Sequence, residues 1–332
     1  FELPKGMHVS TPWQPDTGEH GFRLDERAFA FTGHLVVGHF EAQDIAGLHA
    51  VILQGFGAAA RDQLTAWLAR AARVASLPGG MLPVPGAQVI VVPTSPSPFP
   101  IHFGHTGRSG GASIVLFVPT DVAPAQLRQD WIAIHELSHL WHPFIRREDA
   151  WLSEGLATYL QEVLRVRAGL EPASMAWQRL YDGASLGRQS TRTLVDETRG
   201  MVIGGEHNYQ RVYWAGAAIA LMIDVQLRKD SAGQHSLDGL LARVHARSEL
   251  FARGASAAEL LTALDSEAGR DTCHPIARRY LDRAGLPALD ALYADLGITP
   301  DSGEPSADRG APLAWIRDAI MQPSPAVRLA LP

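Results

Sequence analysis

The feature that most constrains this chain is a pair of imidazoles four residues apart with an acid beside the first: His135-Glu136-Leu137-Ser138-His139. Residues four apart share one face of an α-helix, so a helix here brings both rings to one point where a single ion can hold them. Glu136 points slightly aside, within reach of a water on that ion. With 14 His in 332 residues, about 0.03 such patterns arise by chance, so the spacing argues for chemistry. Trp131-Ile132-Ala133-Ile134 comes immediately before, so the helix is expected to be apolar and buried where the ligands are held. Two buried imidazoles without a metal would each need another partner.

Catalytic zinc takes three protein ligands and leaves a fourth position for water. An extension with Gly and then a third His, three and six residues after His139, is absent: those positions are His142 and Ile145. The alternative is a carboxylate from the next helix. Trp151-Leu152-Ser153-Glu154-Gly155-Leu156-Ala157 supplies one at a helix start. The expectation is one zinc per chain on His135, His139 and Glu154, with Glu136 as general base toward a zinc-activated water. His142 is a spare ligand candidate for which helix capping is the better reading. The single cysteine, Cys273, excludes an intramolecular disulfide and a cysteine zinc cluster. Its neighbour His274 is too little to make it a nucleophile.

The rest of the chain reads as a mixed sheet followed by helices. Residues 1–28 are expected to form an extended arm. Residues 29–40, 48–56, 89–92 and 113–118 read as strands, and 58–76 as an amphipathic helix stopped by Pro78-Gly79-Gly80. Pro93–Pro100, with four prolines, reads as a loop. Gly107–Ala112 reads as a glycine-rich turn flanked by the loop residues His102 and His105. From Pro124 one helix is expected to run to about Phe144. Further helices fit 151–168, 212–227, 236–247, 255–268, 275–284 and 287–296, and a loose tail follows Pro300. The domain outline is an arm (1–28), a sheet-and-helix subdomain (29–145), a helical subdomain (146–300) and a tail (301–332), with an active-site cleft between the two subdomains. Gly204-Gly205-Glu206-His207 reads as a polar turn.

At this point a resemblance becomes specific. His135-Glu136-Leu137-Ser138-His139-Leu140-Trp141, with Trp151-Leu152-Ser153-Glu154-Gly155-Leu156-Ala157-Thr158-Tyr159-Leu160, is similar to the gluzincin metallopeptidases of the M1 and M61 aminopeptidase type. Leu281–Gly297 looks closest to the M61 glycyl aminopeptidase-like catalytic domain. The resemblance implies an α+β, thermolysin-like fold and hydrolysis of peptide bonds. It makes Glu154 the third ligand. Val212-Tyr213-Trp214-Ala215-Gly216-Ala217 resembles the Tyr-x-x-Gly-Ala segment, which implies that Tyr213 steadies the transition state, with Tyr209 and His207 as substitutes. It also maps the substrate-binding strand onto Gly110, Gly111, Ala112 and Ser113.

Three departures matter. Only fourteen residues separate His139 from Glu154. The stretch 107–113 holds Arg108 but lacks the acid that grips a substrate's free amine in these families. Thr158 stands where thermolysin-like enzymes carry a supporting acid. The expected activity is therefore a zinc-dependent metallopeptidase favouring longer or N-blocked peptides. The alternative is a catalytically silent gluzincin scaffold that binds a peptide or protein partner. A formal charge of −6 argues against nucleic acid as the main partner, and the basic pairs Arg146-Arg147 and Arg278-Arg279 read as solvated helix faces. No apolar run is long enough to span a membrane. No signal peptide is visible, yet the chain starts at Phe1; the expectation favours a periplasmic or secreted protein over a cytoplasmic one.

Overall fold

The computed structural model describes residues 1–16, 21–24, 33–108, 110–186, 191–203, 208–247, 249–285, 288–300 and 306–322. They fall into two compact units, Phe1–Leu140 and Trp141–Pro332.

In the first unit, short antiparallel ladders join β1 (His8–Ser10) to β4 (Val36–Gly38) and β2 (Gln14–Pro15) to β3 (Phe22–Arg23). The expected arm is thus partly pinned. Ser10 and Thr11 are buried, and the Gln88 side chain donates to the Ser10 hydroxyl at 2.8 Å. Of the expected strand 29–40, only Val36–Gly38 is a strand among the described residues; 25–32 lie outside them.

The main sheet has five strands: β5 (Ala42–Ile45), β6 (Leu48–Ile52), β7 (Ala87–Thr94), β8 (Phe103–Gly107) and β9 (Ser113–Pro119), in the order β5-β6-β7-β9-β8. The central strands β6, β7 and β9 are parallel, and the edges β5 and β8 are antiparallel. Central strands buried on both faces read as apolar runs rather than alternating ones, as in Val89-Ile90-Val91-Val92 and Ile114-Val115-Leu116. Parallel β6 and β7 need a long crossover, which α1 (Ala58–Ala75) provides.

Two expectations change here. β7 runs through Pro93 to Thr94 instead of ending before the prolines. Its pairing with β6 stops at Val91, so Pro93 needs no donor on that side. His105 lies in the edge strand β8, not in a loop.

The helix expected from Pro124 to Phe144 is two helices, α2 (Pro124–Gln129) and α3 (Ile132–Ser138), followed by a 3-10 turn over His139–Trp141. Asp130 breaks it with extended backbone (ψ 137°). Its carboxylate then accepts the N–H groups of Ile132 (3.0 Å) and Ala133 (3.1 Å), which satisfies donors a helix start leaves open. α3 packs on α1 and on β8.

The second unit is helical: α4 (Ala150–Arg167), α5 (Ala173–Ser185), α6 (Leu194–Ile203), α7 (Tyr209–Asp230), α8 (Leu237–Arg247), α9 (Leu250–Arg253), α10 (Ala257–Ala268), α11 (Cys273–Leu281), α12 (Asp290–Leu296) and α13 (Ala314–Met321), with a small ladder of β10 (Ile298–Thr299) and β11 (Ser306–Ala307). The helices α5 and α6 were not expected. Residues 306–322, assigned by composition to the tail, include β11 and α13; 301–305 and 323–332 lie outside the described residues.

α4 and α7 form the core of this unit. A Cβ on Gly155 would lie 2.3 Å from the Gly216 carbonyl carbon, and one on Gly216 would lie 2.0 Å from the Trp151 carbonyl oxygen. Only glycine lets the two backbones approach so closely. Buried polar groups reinforce this packing: the Tyr159 hydroxyl of α4 donates to Asp224 of α7 at 2.6 Å, Arg228 donates to Asp224 at 3.2 Å within α7, and Arg167 of α4 donates to Asp238 of α8 at 2.5 Å. Among the described residues, no helix is long and apolar enough to cross a membrane.

Candidate active site

His135 and Glu136 sit in α3, and His139 follows it still in helical conformation (φ −57°, ψ −23°). The two imidazoles therefore share a face, with ring centroids 5.0 Å apart and planes at 89°. Both are buried. Trp131 lies one turn before His135 and meets its ring edge to face at 5.9 Å.

Glu136 is also buried, against β8. The Thr106 hydroxyl lies 2.8 Å from its Oε2 and 2.9 Å from its backbone carbonyl. With one proton to give, the charged carboxylate is the stronger acceptor. Gly104, on the same face of β8 two residues earlier, leaves room for the acid. A Cβ there would stand 2.7 Å from Glu136 Cγ, 3.0 Å from its Oε1 and 2.8 Å from Ile132 Cγ2. Phe103 and His105 point to the opposite face, where His105 meets His34 (3.3 Å between ring nitrogens) and His34 meets the Ser113 hydroxyl (3.1 Å). Burial lowers the His34 pKa, although its hydrogen bond to Ser113 acts the other way.

Arg108 does not reach outward as a free surface cation. It donates to the His139 backbone carbonyl, and burial of its guanidinium pulls its pKa down to about 10. It secures the backbone of a candidate ligand at the end of α3.

The third residue, Glu154, is half-buried in the second turn of α4. One ligand atom from each of His135, His139 and Glu154 lies within 4.8 Å of the others. Two imidazoles and one carboxylate are a zinc donor set, and three protein ligands leave a position for water. The donor set thus fits a catalytic zinc, and the short His139–Glu154 spacing does not prevent convergence. Gly155, next to Glu154, is explained by the approach of α7. Tyr213 lies on α7 one turn before Gly216 and is half-buried. Arg211, fully buried near the start of that helix, donates to Glu197 at 2.9 Å and to the carbonyls of Arg192 and Gly285. Thr158 is buried, and its hydroxyl has no hydrogen-bond partner among the described residues.

The stretch 110–113 is placed differently from β8. Ala112 and Ser113 are buried, and Ser113 begins β9, which has β7 on one side and β8 on the other. Gly111 packs against the Pro12 backbone, where a Cβ would come within 1.8 Å of the carbonyl oxygen. These residues have no open edge to offer an extended ligand. Among the described residues, the strand beside Glu136 with such an edge is β8. It carries no acid either, so the missing amine-gripping carboxylate is not restored there.

His142 is buried outside the metal-ligand group, its ring 2.7 Å from the Pro143 carbonyl. Tyr209 is exposed, and Glu206 and His207 lie outside the described residues. Cys273 is buried; burial, and then the Asp265 charge, push its thiol pKa far up, so it makes no nucleophile. The residues that sequence reasoning missed are Gly104 and Thr106. Their signal was the alternation over 103–106, hidden because the segment has one β-branched residue among glycine and histidine.

No protein-family model matches the sequence, and no curated protein matches it. Solved structures do match in fold. An aminopeptidase N family protein from Idiomarina loihiensis superposes with a TM-score of 0.64 at 17% identity, over 88% of this chain and 55% of that one. An M1 zinc metallopeptidase from Deinococcus radiodurans gives 0.53 at 19% identity, over 86% and 62%. Yeast LTA4 hydrolase in complex with bestatin gives 0.53 at 14% identity, over 85% and 45%. The chain thus spans about half to three-fifths of each of these proteins and shares the two-part fold of M1 aminopeptidases, a mixed-sheet unit followed by a helical one.

Proposed function

We propose that the chain is a zinc-dependent metallopeptidase. One observation carries the reading: His135, His139 and Glu154 converge while Glu136, which is not needed as a ligand, is held beside them against an open-edged strand. Zinc held there by His135, His139 and Glu154 would supply a Lewis acid and acidify a water. Glu136 is placed to take a proton from the attacking water and pass it to the leaving amine. Tyr213 donates to the developing oxyanion, a role supported by its place one turn before the α4–α7 contact.

An extended peptide adds to the free edge of β8 through backbone hydrogen bonds. That edge has no carboxylate for an ammonium, and burying an ammonium unpaired costs several kcal/mol. A mutant of the Deinococcus enzyme binds the substrate Tyr-Ser-Ala. This chain is proposed to prefer longer or N-blocked peptides instead. The likeness to M61 within the wider fold rests on motif wording at 281–297. The same lack of an acid is the observation that favours a silent, peptide-binding scaffold as the second reading.

Zinc content and cleavage of a peptide library, each peptide with free and acetylated N-termini, test these readings together. One zinc per chain, cleavage of acetylated peptides, and a Glu136→Gln variant that keeps zinc but loses about a hundredfold or more in turnover are expected. Strong preference for free N-termini would overturn the specificity. Peptide binding without cleavage would select the scaffold, and no zinc uptake at all would sink the zinc peptidase.

A further inference from the structure

The second unit contains a concave site unconnected with peptide hydrolysis. One face of α10, presenting Thr262, Asp265, Ser266 and Gly269 at helical spacing, lines a cavity of about 970 Å³ together with α11 and the turn between the helices. The rest of the lining is mainly basic: Arg270, His274, Arg278, Arg279 and Arg283. His274 and Arg278 are four apart on α11, as are Pro275 and Arg279, so the helix turns adjacent rows of its surface to the cavity. Four guanidinium groups around one hollow are unexpected in a chain of net charge −6.

The acids nearby do not balance them. Asp265 is buried and occupied, accepting the backbone N–H groups of Thr272 (2.9 Å), Cys273 (2.6 Å) and His274 (3.1 Å). Asp230 pairs with Arg270 at 3.1 Å. Among the described residues, Arg278, Arg279 and Arg283 are in no ion pair, and the remaining acid of the lining is the exposed Asp271. Concave walls of one charge focus the field on an incoming anion. Guanidinium groups offer paired donors that match phosphate and carboxylate oxygens. The Ser266 hydroxyl, also in the lining, can add a neutral donor.

We propose that this groove binds a small polyanion, a molecule carrying two or more phosphate or carboxylate groups that spans the arginines of α11 and the turn before it. A monovalent anion would leave most of the positive charge unanswered, so the selectivity is for multivalent ligands. None of the metal-ligand residues lines the groove, and its test does not depend on peptidase activity.

Calorimetric titration with pyrophosphate, citrate and acetate in low-salt buffer tests it. Saturable binding of pyrophosphate or citrate but not acetate is expected, and the stronger of the two identifies the oxyanion type. The double variant Arg278→Gln/Arg279→Gln should weaken that binding by about tenfold or more, since removing one charge-assisted hydrogen bond costs roughly that factor. Circular dichroism checks that the variant is folded, and the single variant Arg283→Gln serves if it is not. Polyphosphates and citrate also chelate metals, so His139→Ala protein is the control. Binding that persists in His139→Ala and fails in the arginine variants supports the site. Absence of saturable binding, equal binding of acetate, or binding lost in His139→Ala but kept in the arginine variants overturns it.

Discussion

Glu136 is confined on one side by a hydroxyl and on the other by the absence of a side chain. Thr106 and Gly104 lie two apart on an edge strand, so both face α3. A general base must hold a narrow geometry to act, and a misplacement of about 1 Å can cost about a hundredfold. Replacing Thr106 with Val keeps the shape and removes the hydrogen bond to Oε2. The variant is expected to retain zinc and substrate KM but to lose about tenfold to a hundredfold in kcat, and Thr106→Ser should recover most of it. Wild-type turnover in Thr106→Val would show that Glu136 needs no such support.

At the scale of elements, the site depends on two junctions. Asp130 ends α2 and starts α3, so the ligand helix begins at a fixed residue close to the sheet. In the second unit, Gly155 and Gly216 bring α4 and α7 to backbone contact, setting the helix that carries Glu154 against the one that carries Tyr213. Gly216→Ala adds one methyl where a carbonyl oxygen already stands. Overpacking of this kind costs about 1–3 kcal/mol or more, against a gain of under about 1 kcal/mol in helix propensity. The expected result is net destabilisation, seen as a lower midpoint in urea. An unchanged or higher midpoint would mean that α7 moves away without cost.

For the whole molecule, the proposed metal and the buried ion pairs are expected to govern stability under different conditions. A ligand that binds only the folded state at a hundred times its Kd adds about 2.7 kcal/mol. Chelation should therefore lower the melting temperature of the wild type, zinc should restore it, and His139→Ala should respond to neither. Equal response of the variant would place the metal elsewhere. The pH dependence follows from Asp238. Burial alone raises its pKa, but the charge and hydrogen bond of Arg167, together with the Ser236 hydrogen bond and the Arg228 charge, hold it below the usual range. A depressed carboxylate contributes stability that is complete above its unfolded pKa of about 3.9 and is lost as pH falls through the folded value. Asp238→Asn should flatten that acidic decline. At neutral pH it should cost about 3 kcal/mol or more, because Arg167 is left without its carboxylate. Urea midpoints between acid and neutral pH check both, and an undiminished acid slope in Asp238→Asn would assign the decline to other carboxylates.

The sequence alone determined what rests on local periodicity. His135 and His139 had to share a face because their spacing is that of a helix, and α1, α4 and α7 were legible from their apolar stripes. The helical half and the parallel strands β7 and β9 could be read as apolar runs between turns. What it left undecided depends on partners distant along the chain. Nothing within 103–107 marks it as the edge strand, since edge position is a property of sheet order and β9 pairs on both sides only in the folded sheet. For the same reason, residues 110–113 resemble a substrate strand in sequence, yet in the folded sheet they lead into β9, which is paired on both sides. The break at Asp130 is a local competition between one long helix and a capped new one, won once α3 could pack on β8. The meaning of Gly104, Gly155 and Gly216 is likewise tertiary. A glycine in sequence is only a missing side chain, and what would fill that space is decided by whichever backbone or carboxylate the fold brings against it.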